Sequence, residues 1–273
     1  MALDVAAVSG ASLVRSLSGL RIANVAFIKL VPGALVPSPT ESNLAQPEAV
    51  RAAVARLLDA LGGSRGAATL VLPDGVARGL VFEAAPGVAP LEQARFKLGS
   101  SLPYPVAESI VDIRPLGGRH FLGVAIRRGV VEGYEALAES AGLSVERIDV
   151  ASMAALDGLM RLPPEGDSTV DVILGDAAVS LAAHRDGTLR VFRSRRRDAG
   201  PEEADRLREE VARTATLAGD GASPRVRVVG PGAPGLARAL SARGARAELG
   251  WRAEGTGLPV EAAELPWLGV ALP

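Results

Sequence analysis

The sequence predicts a mixed α/β protein of two lobes that contains a compact module of α+β elements. Three observations point there. Strand-like apolar runs alternate with helix-period segments along most of the chain. The stretch Thr69 to Leu159 reads strand, then strand-helix-strand-strand-helix-strand, then helix. Pro163-Pro164-Glu165-Gly166 is the strongest linker signal, and it divides the 273 residues into parts that can each bury a core.

The chain opens as a meander. Ser12 to Val14 and Leu20 to Phe27 read as strands around a turn at Ser18-Gly19, the second continuing through Ile28-Lys29-Leu30 to Pro32-Gly33. After polar Ser38 to Gln46, Pro47 suits a first helical position, and Val50, Val54, Leu57, Leu58 and Leu61 share a helical face that Gly62-Gly63 terminates. Thr69 to Leu72 is a short apolar strand, and Pro73-Asp74-Gly75 is a turn.

Gly79 to Ala84 begins the compact module. A helix from Pro90 to about Leu102 aligns Leu91, Ala94, Leu98 and Leu102, and Pro103 stops it, because the residue before a proline is pushed out of helical geometry. Ser109 to Leu116 and His120 to Arg127 form a hairpin across Gly117-Gly118. A helix from Gly129 to Ala141 places Val130, Tyr134, Leu137, Ala138 and Ala141 together and ends at Gly142; Val145 to Val150 then closes a split βαββαβ unit.

Ala151 to Leu162 is a further helix. Beyond the linker, Val170 to Leu174, Val179 to His184 and Leu189 to Arg193 are strands, with Asp186-Gly187 as a hairpin turn. A helix from Pro201 to about Leu217 turns Leu207, Val211, Thr214 and Leu217 inward; Arg225 to Val229 is a buried strand, Leu236 to Leu240 a helix, and Leu265 to Leu272 the last element. No internal repeat of solenoid length is evident.

Composition narrows the function. Hydrophobic residues make up 48% of the chain but aromatics only 3%, so Ala, Val and Leu fill the cores. Thirty basic and 31 acidic residues give a net charge of -1, without the footprint of a nucleic-acid binder. With no cysteine and two histidines, disulfides and thiolate or histidine zinc sites are excluded. The apolar run Ala23 to Val36 carries Lys29 and Pro32 and is too short to span a bilayer, and Met1 to Ser9 lacks the pattern of a signal peptide, so a cytoplasmic protein is expected.

Few motifs carry chemistry. Gly230-Pro231-Gly232-Ala233-Pro234-Gly235 has the G-x-G-x-x-G spacing after a strand and opens a helix, where glycines let a backbone approach phosphate or a base. No acidic residue follows in the context of a dinucleotide site, which favours an adenosine loop, functional or vestigial. Arg193-Ser194-Arg195-Arg196-Arg197 is either a solvated strand end or a site for phosphate, an acidic partner or anionic lipid, with Asp198, Glu202, Glu203 and Asp205 next in sequence to neutralise it. His120 and His184 sit in strand patterns without a catalytic partner, Glu132 and Glu135 on an exposed helix face, and no P-loop or nucleophile elbow is present.

Longer segments add a resemblance. Leu70-Val71-Leu72-Pro73, the helix Pro90 to Leu102 running into Pro103-Tyr104-Pro105, Phe121-Leu122-Gly123-Val124-Ala125, Tyr134 to Leu143, Ile148-Asp149-Val150-Ala151, Arg185-Asp186-Gly187, Gly230 to Leu236 and Leu268-Gly269-Val270-Ala271-Leu272 together resemble the PilM family of actin-like pilus-assembly proteins. More distantly they resemble the cytoplasmic domain of the type II secretion protein GspL and the division protein FtsA. The resemblance implies a two-lobed actin-like ATPase fold with the βαββαβ unit as a 1C-type subdomain at 79–148, a first lobe at 1–78 completed by 149–164 with the C-terminus left open, and a second lobe at 165–273. Only Ala199 to Ser223 separate the last hairpin of that lobe from its next strand, so its 2B subdomain is reduced to one helix.

It also implies a non-catalytic scaffold beneath the inner membrane that captures the cytoplasmic tail of a PilN-like membrane protein in a groove between first lobe and insertion. Phe82, Phe96, Pro103, Tyr104 and Pro105 are the candidate groove residues, the alternative being that Phe82 and Phe96 are simply core. The assembly hexameric ATPase is a further candidate partner, and homo-oligomerisation is left open. The family's nucleotide site uses an Asp-x-Gly in each of two phosphate hairpins. With Leu13-Val14-Arg15-Ser16 in the first, Leu13 and Arg15 stand where Asp and Gly are needed; Ile173-Leu174-Gly175 retains only the glycine, with Asp4 and Asp176 nearby. Gly175, Gly230, Gly232 and Gly235 are then vestigial nucleotide loops, no cofactor is expected, and any Mg-ATP binding is weak. A GspL-like scaffold, an active ATPase or sugar kinase of the superfamily, and an FtsA-like membrane-surface scaffold are the alternatives; the sugar kinase would show carboxylates that are missing here.

Overall fold

The computed structural model describes residues 1–16, 19–63, 65–162, 168–198, 200, 202–219 and 224–250. The linker at 163–166 and the element expected at 265–272 lie outside them. In chain order the elements are β1 (Ala2–Leu3), β2 (Ala7–Ser16), β3 (Gly19–Lys29), α1 (Pro47–Ala60), β4 (Ala67–Leu72), β5 (Ala77–Glu83), α2 (Pro90–Gly99), β6 (Ser109–Gly117), β7 (His120–Arg127), α3 (Arg128–Ser140) and β8 (Ser144–Val150). They continue with α4 (Ala151–Arg161), β9 (Ser168–Leu174), β10 (Ala178–Arg185), β11 (Thr188–Arg196), α5 (Glu203–Leu217), β12 (Arg225–Val229), α6 (Ala233–Ala242) and β13 (Arg246–Leu249).

Two five-stranded sheets share one topology. The first is ordered β3-β2-β1-β4-β8 and the second β11-β10-β9-β12-β13. In each, a meander of three antiparallel strands is extended from its first strand by two parallel strands. This duplication escapes a search of the sequence for repeats because it conserves strand order rather than residues.

The insertion is smaller than expected. Its sheet contains only β5, β7 and β6. The strand expected to close a βαββαβ unit, β8, pairs in parallel with β4 instead, Leu70 opposite Ile148 and Leu72 opposite Val150. Likewise Val130, Val131, Tyr134, Leu137 and Ala138 of α3 pack into the core of the first lobe. The pattern of elements is the same either way; what decides is that Ile148 and Val150 continue an apolar parallel sheet. The insertion is therefore a βαββ unit, with α2 on one face.

Other differences have local causes. β1 has two residues and β13 is Arg-Ala-Glu-Leu, so neither shows a readable period. α2 stops at Gly99 rather than Leu102, the Ser100 and Ser101 hydroxyls donating back to the carbonyls of Lys97 and Leu98. Leu217, expected inside, is exposed at the end of α5. Between β11 and β12, α5 is the one helix among the described residues. Asp186 and Gly187 both take positive φ, as a tight hairpin demands.

The lobes meet on α4. Ala151 to Leu156, Gly158 and Leu159 are all buried, so this short, alanine-rich helix has hardly any free face. One continuous core joins Leu156 and Leu159 of α4 to Ile173, Ala182, Phe192 and Val229 of the second sheet. A second core, under α5 and α6, holds Val170, Val172, Leu174, Leu207, Val211 and Leu236.

Backbone packing singles out one glycine of the G-x-G-x-x-G segment. Gly230 has φ +99°, and a Cβ there would overlap the carbonyl of Leu174; Gly235 has open space around it. Gly230→Ala is expected to cost more than about 3 kcal/mol. Gly235→Ala, inside α6, should stabilise by up to ~1 kcal/mol. Urea unfolding of the two variants checks both.

Candidate functional site

An apolar groove runs between the insertion and the first lobe. Alternate residues of an antiparallel sheet share a face, and on β6 and β7 the pairs Ile110–Ile126, Asp112–Val124 and Arg114–Leu122 turn one face towards it. Val131 and Glu135 of α3, Arg147 to Val150 of β8 and Met153 of α4 form the rest, enclosing about 360 Å³. Consecutive residues, Asp112 to Arg114 and Arg147 to Val150, line it on both sides. β6 and β8 are the outermost strands of their sheets, so backbone edges as well as side chains face the space.

Charges clasp the groove. Arg114 of β6 grips Asp157 of α4 with both terminal nitrogens, Nη2 to Oδ2 at 2.9 Å. Arg147 reaches Asp149 at 2.6 Å and Asp157 at 3.5 Å. Burial pushes the Asp149 carboxyl up, against the Val150 amide and the Arg147 guanidinium.

A second site lies where the lobes face each other. The turn between β1 and β2 is Asp4-Val5-Ala6, and it opposes Gly175-Asp176-Ala177, between β9 and β10. Each turn donates to the other: the Asp176 amide to Asp4 Oδ2 and the Ala6 amide to Asp176 Oδ2, both at 3.3 Å. The facing turn of the first lobe is thus one hairpin earlier than the expected Leu13-Val14-Arg15-Ser16, so Asp4 occupies the position assigned above to Leu13. Leu13 lies along β2, half exposed.

Arg197 closes the remaining space. Its guanidinium donates to the carbonyls of Gly175 and Pro231 at 3.0 and 3.2 Å and pairs with Glu203 at 2.7 Å. Gly175, Pro231 and Gly232 thus lie around one arginine, whereas a Cβ on Gly235 in α6 would meet nothing within 4 Å. The rest of the basic run disperses, with Arg193 facing Glu210 at 3.4 Å.

The expected partner residues lie elsewhere than the apolar groove. Phe82 is buried against Phe121, ring centroids 5.8 Å apart, in the small core under α2 on the opposite face of the insertion sheet. Phe96 is 84% exposed on the outer side of α2. Tyr104, between exposed Pro103 and Pro105, lies under Arg127, which lines a separate polar depression with Thr40, Glu108 and Tyr134. The readable sign of this apolar groove was the unbroken apolar run Phe121 to Ile126, since a strand without alternation is apolar on both faces. Among the described residues no group of three or more acidic or histidine side chains could hold a metal, and none of their helices is long and apolar enough to cross a membrane.

Two duplicated sheets around a buried helix, with an insertion in the first lobe, define the class: a two-lobed α/β protein. Comparison with solved structures then gives the fold as actin-like. A chain of the PilM–PilN type IV pilus biogenesis complex matches with a TM-score of 0.75 at 18% identity, over 99% of this chain and 95% of that one. A Bacteroides thetaiotaomicron protein with an actin-like ATPase fold and unknown function matches at 0.57 and 11% identity, covering 89% and 84%. The cytoplasmic domain of EpsL, an inner-membrane component of the Vibrio cholerae type II secretion system, matches at 0.51 and 12%, covering 85% and 80%. No family model matches the chain, and a search of curated proteins finds no match.

Buried carboxyls at the lobe junction make stability depend on pH. Burial and then the neighbouring Asp176 raise Asp4 from 3.8 to about 7, and burial raises Asp74 from 3.8 to about 6. The folded chain thus holds protons that the unfolded chain releases, and stability falls as pH rises from about 4 to about 7. Burial lowers the Met1 amine from 8.0 to about 6, which acts in the opposite sense between those values. Asp74→Asn keeps the acceptor for the Ser152 amide. It is expected to gain roughly 2 kcal/mol at pH 8 and almost nothing at pH 4, read from denaturant unfolding at both pH values.

Proposed function

We propose that this protein is an actin-like scaffold of a type IV pilus inner-membrane platform and that its groove holds the cytoplasmic tail of a PilN-like bitopic protein. The observation that carries the reading is the groove itself: an apolar floor of Leu122, Val124, Ile126 and Met153 under a charged rim, bounded by two strand edges that no other described strand pairs with. Such edges accept an extended segment through backbone hydrogen bonds while alternate side chains enter the floor. Similarity to the PilM–PilN complex supports the choice of partner. The protein acts at the inner membrane through that partner, with the assembly ATPase as a further candidate and self-association left open. The same groove serves a type II secretion scaffold, which the likeness to the EpsL domain keeps as the second reading.

The scaffold role needs no catalysis, and we infer that nucleotide binding is weak. The two facing turns do carry carboxylates, Asp4 and Asp176, but each accepts from a backbone amide of the opposite turn. The two facing turns are bonded to each other, and an Arg197–Glu203 pair lies between the second turn and the Gly230–Gly232 loop. Calorimetry with Mg-ATP is expected to give no saturable heat; a micromolar affinity would overturn this part.

Tail binding is tested with a synthetic peptide of the cytoplasmic tail of a PilN-like bitopic protein from the same genome. Val124→Arg should weaken binding at least about tenfold by placing a charge on the groove floor. Tyr104→Asp and Phe96→Ala decide whether the outer corner and α2 share in the site, since both residues lie outside the groove; unchanged affinity removes them from it.

A further inference from the structure

Taking the groove as the partner site, the question is what sets its width. Its outer wall is the insertion sheet, and that sheet is held from both lobes. On its β6 edge, Arg114 grips Asp157 of α4 in the first lobe. On its β5 edge it lies beside β11, the edge strand of the second lobe.

The contact at β5 is close. A Cβ on Gly79 would stand 2.9 Å from Met153 Cε and 3.0 Å from Phe192 Cε1, so the β5 backbone rests directly on a ring from the second lobe and a methionine from α4. Met153 is also part of the groove floor. Nearby, Arg190 of β11 meets His120 of β7 at 2.9 Å. Phe192 pairs across the sheet with Ala182 of β10, and β10 starts at Ala178, directly after the turn whose Asp176 bonds the first lobe. The path from the lobe junction to the groove floor is therefore one strand long, followed by one aromatic ring.

We infer that the groove width is coupled to closure of the two lobes through the Phe192–Gly79 seam. When the Asp4–Asp176 turns separate, β10 and β11 move with the second lobe, the β5 edge follows Phe192, and the insertion pivots on the Arg114–Asp157 clasp. Packed interfaces of this kind shift as units instead of deforming smoothly. A segment entering between β6 and β8 exerts the same leverage in reverse, because linkage between two sites is reciprocal. Tail capture is thereby reported to the lobe junction with no nucleotide required.

The absence of native cysteine allows a clean distance test in the full chain. One pair of spin labels at Asp112 and Glu146 spans the groove, and another at Arg56 and Arg208 spans the lobes; all four residues are exposed. Gly175→Leu is the wedge, because a side chain there must enter beside Asp4 and Asp74, whose Oδ2 atoms lie 3.7 and 3.8 Å from the Cβ position. Asp176→Ala is a gentler second variant that removes the bond from the Ala6 amide. Both distances are expected to shift together, by about 2 Å, and Phe192→Ala in the same background should abolish the groove shift while leaving the lobe shift.

An unchanged groove distance when the lobes open overturns the coupling. So does a groove shift that survives Phe192→Ala, or a lobe distance that neither junction variant alters. These readouts need no ligand. Failure of the tail peptide to bind in calorimetry would count against the partner reading alone.

Discussion

The architecture rests on α4, a helix with almost no solvent face. Two five-stranded sheets press on it from opposite sides, and only small residues such as Ala151, Ser152, Ala154, Ala155 and Gly158 allow both to come close. Its ends are tied to different parts of the molecule. The Ser152 amide donates to Asp74, in the turn after β4, and the Leu159 carbonyl accepts from Arg227 of β12. An acceptor at the start and a cation at the finish both suit the helix dipole.

That second tie is part of a buried charge cluster. Arg227 binds Asp171 with two nitrogens at 2.6 and 2.9 Å, and His184 completes the set at 2.9 Å. Burial alone would raise the Asp171 carboxyl; His184 and Arg227 hold it below the usual range. Burying such a group is costly unless every partner is present, so removing either partner is expected to destabilise by more than the intact cluster contributes to net stability. The register that brings Arg227 opposite Asp171 is the register that points Arg227 at α4.

The groove follows from the same arrangement. The insertion sheet is apolar on both faces because β7 runs Phe-Leu-Gly-Val-Ala-Ile without alternation. α2 covers one face, and Ala94 and Leu98 approach β7 closely at Gly123. Among the described residues, α3, α4 and the ring of Phe192 pack against the other face. What remains uncovered is lined by Ile110, Val124 and Ile126, with the Arg114–Asp157 clasp at its edge. Among the described residues nothing covers this apolar strip or pairs with its two strand edges, which suits it to binding a chain segment, and it lies beside the contact between lobes.

The sequence by itself determined the elements with strong local periods: the apolar face of α1, the amphipathic α3, the hairpins at Gly117-Gly118 and Asp186-Gly187, and the two-lobed division. Those signals are local, since helical spacing and positive-φ turns are written within a few residues. Tertiary structure alone decided that β8 joins β4 instead of the insertion, that Asp4 meets Asp176 across the lobes, that Phe82 is core, and that the groove opens on the other face of its sheet. Each of these depends on which distant strand lies alongside. Parallel pairing leaves no mark in the intervening residues, and a carboxylate 172 positions from its partner amide has no local pattern to announce it.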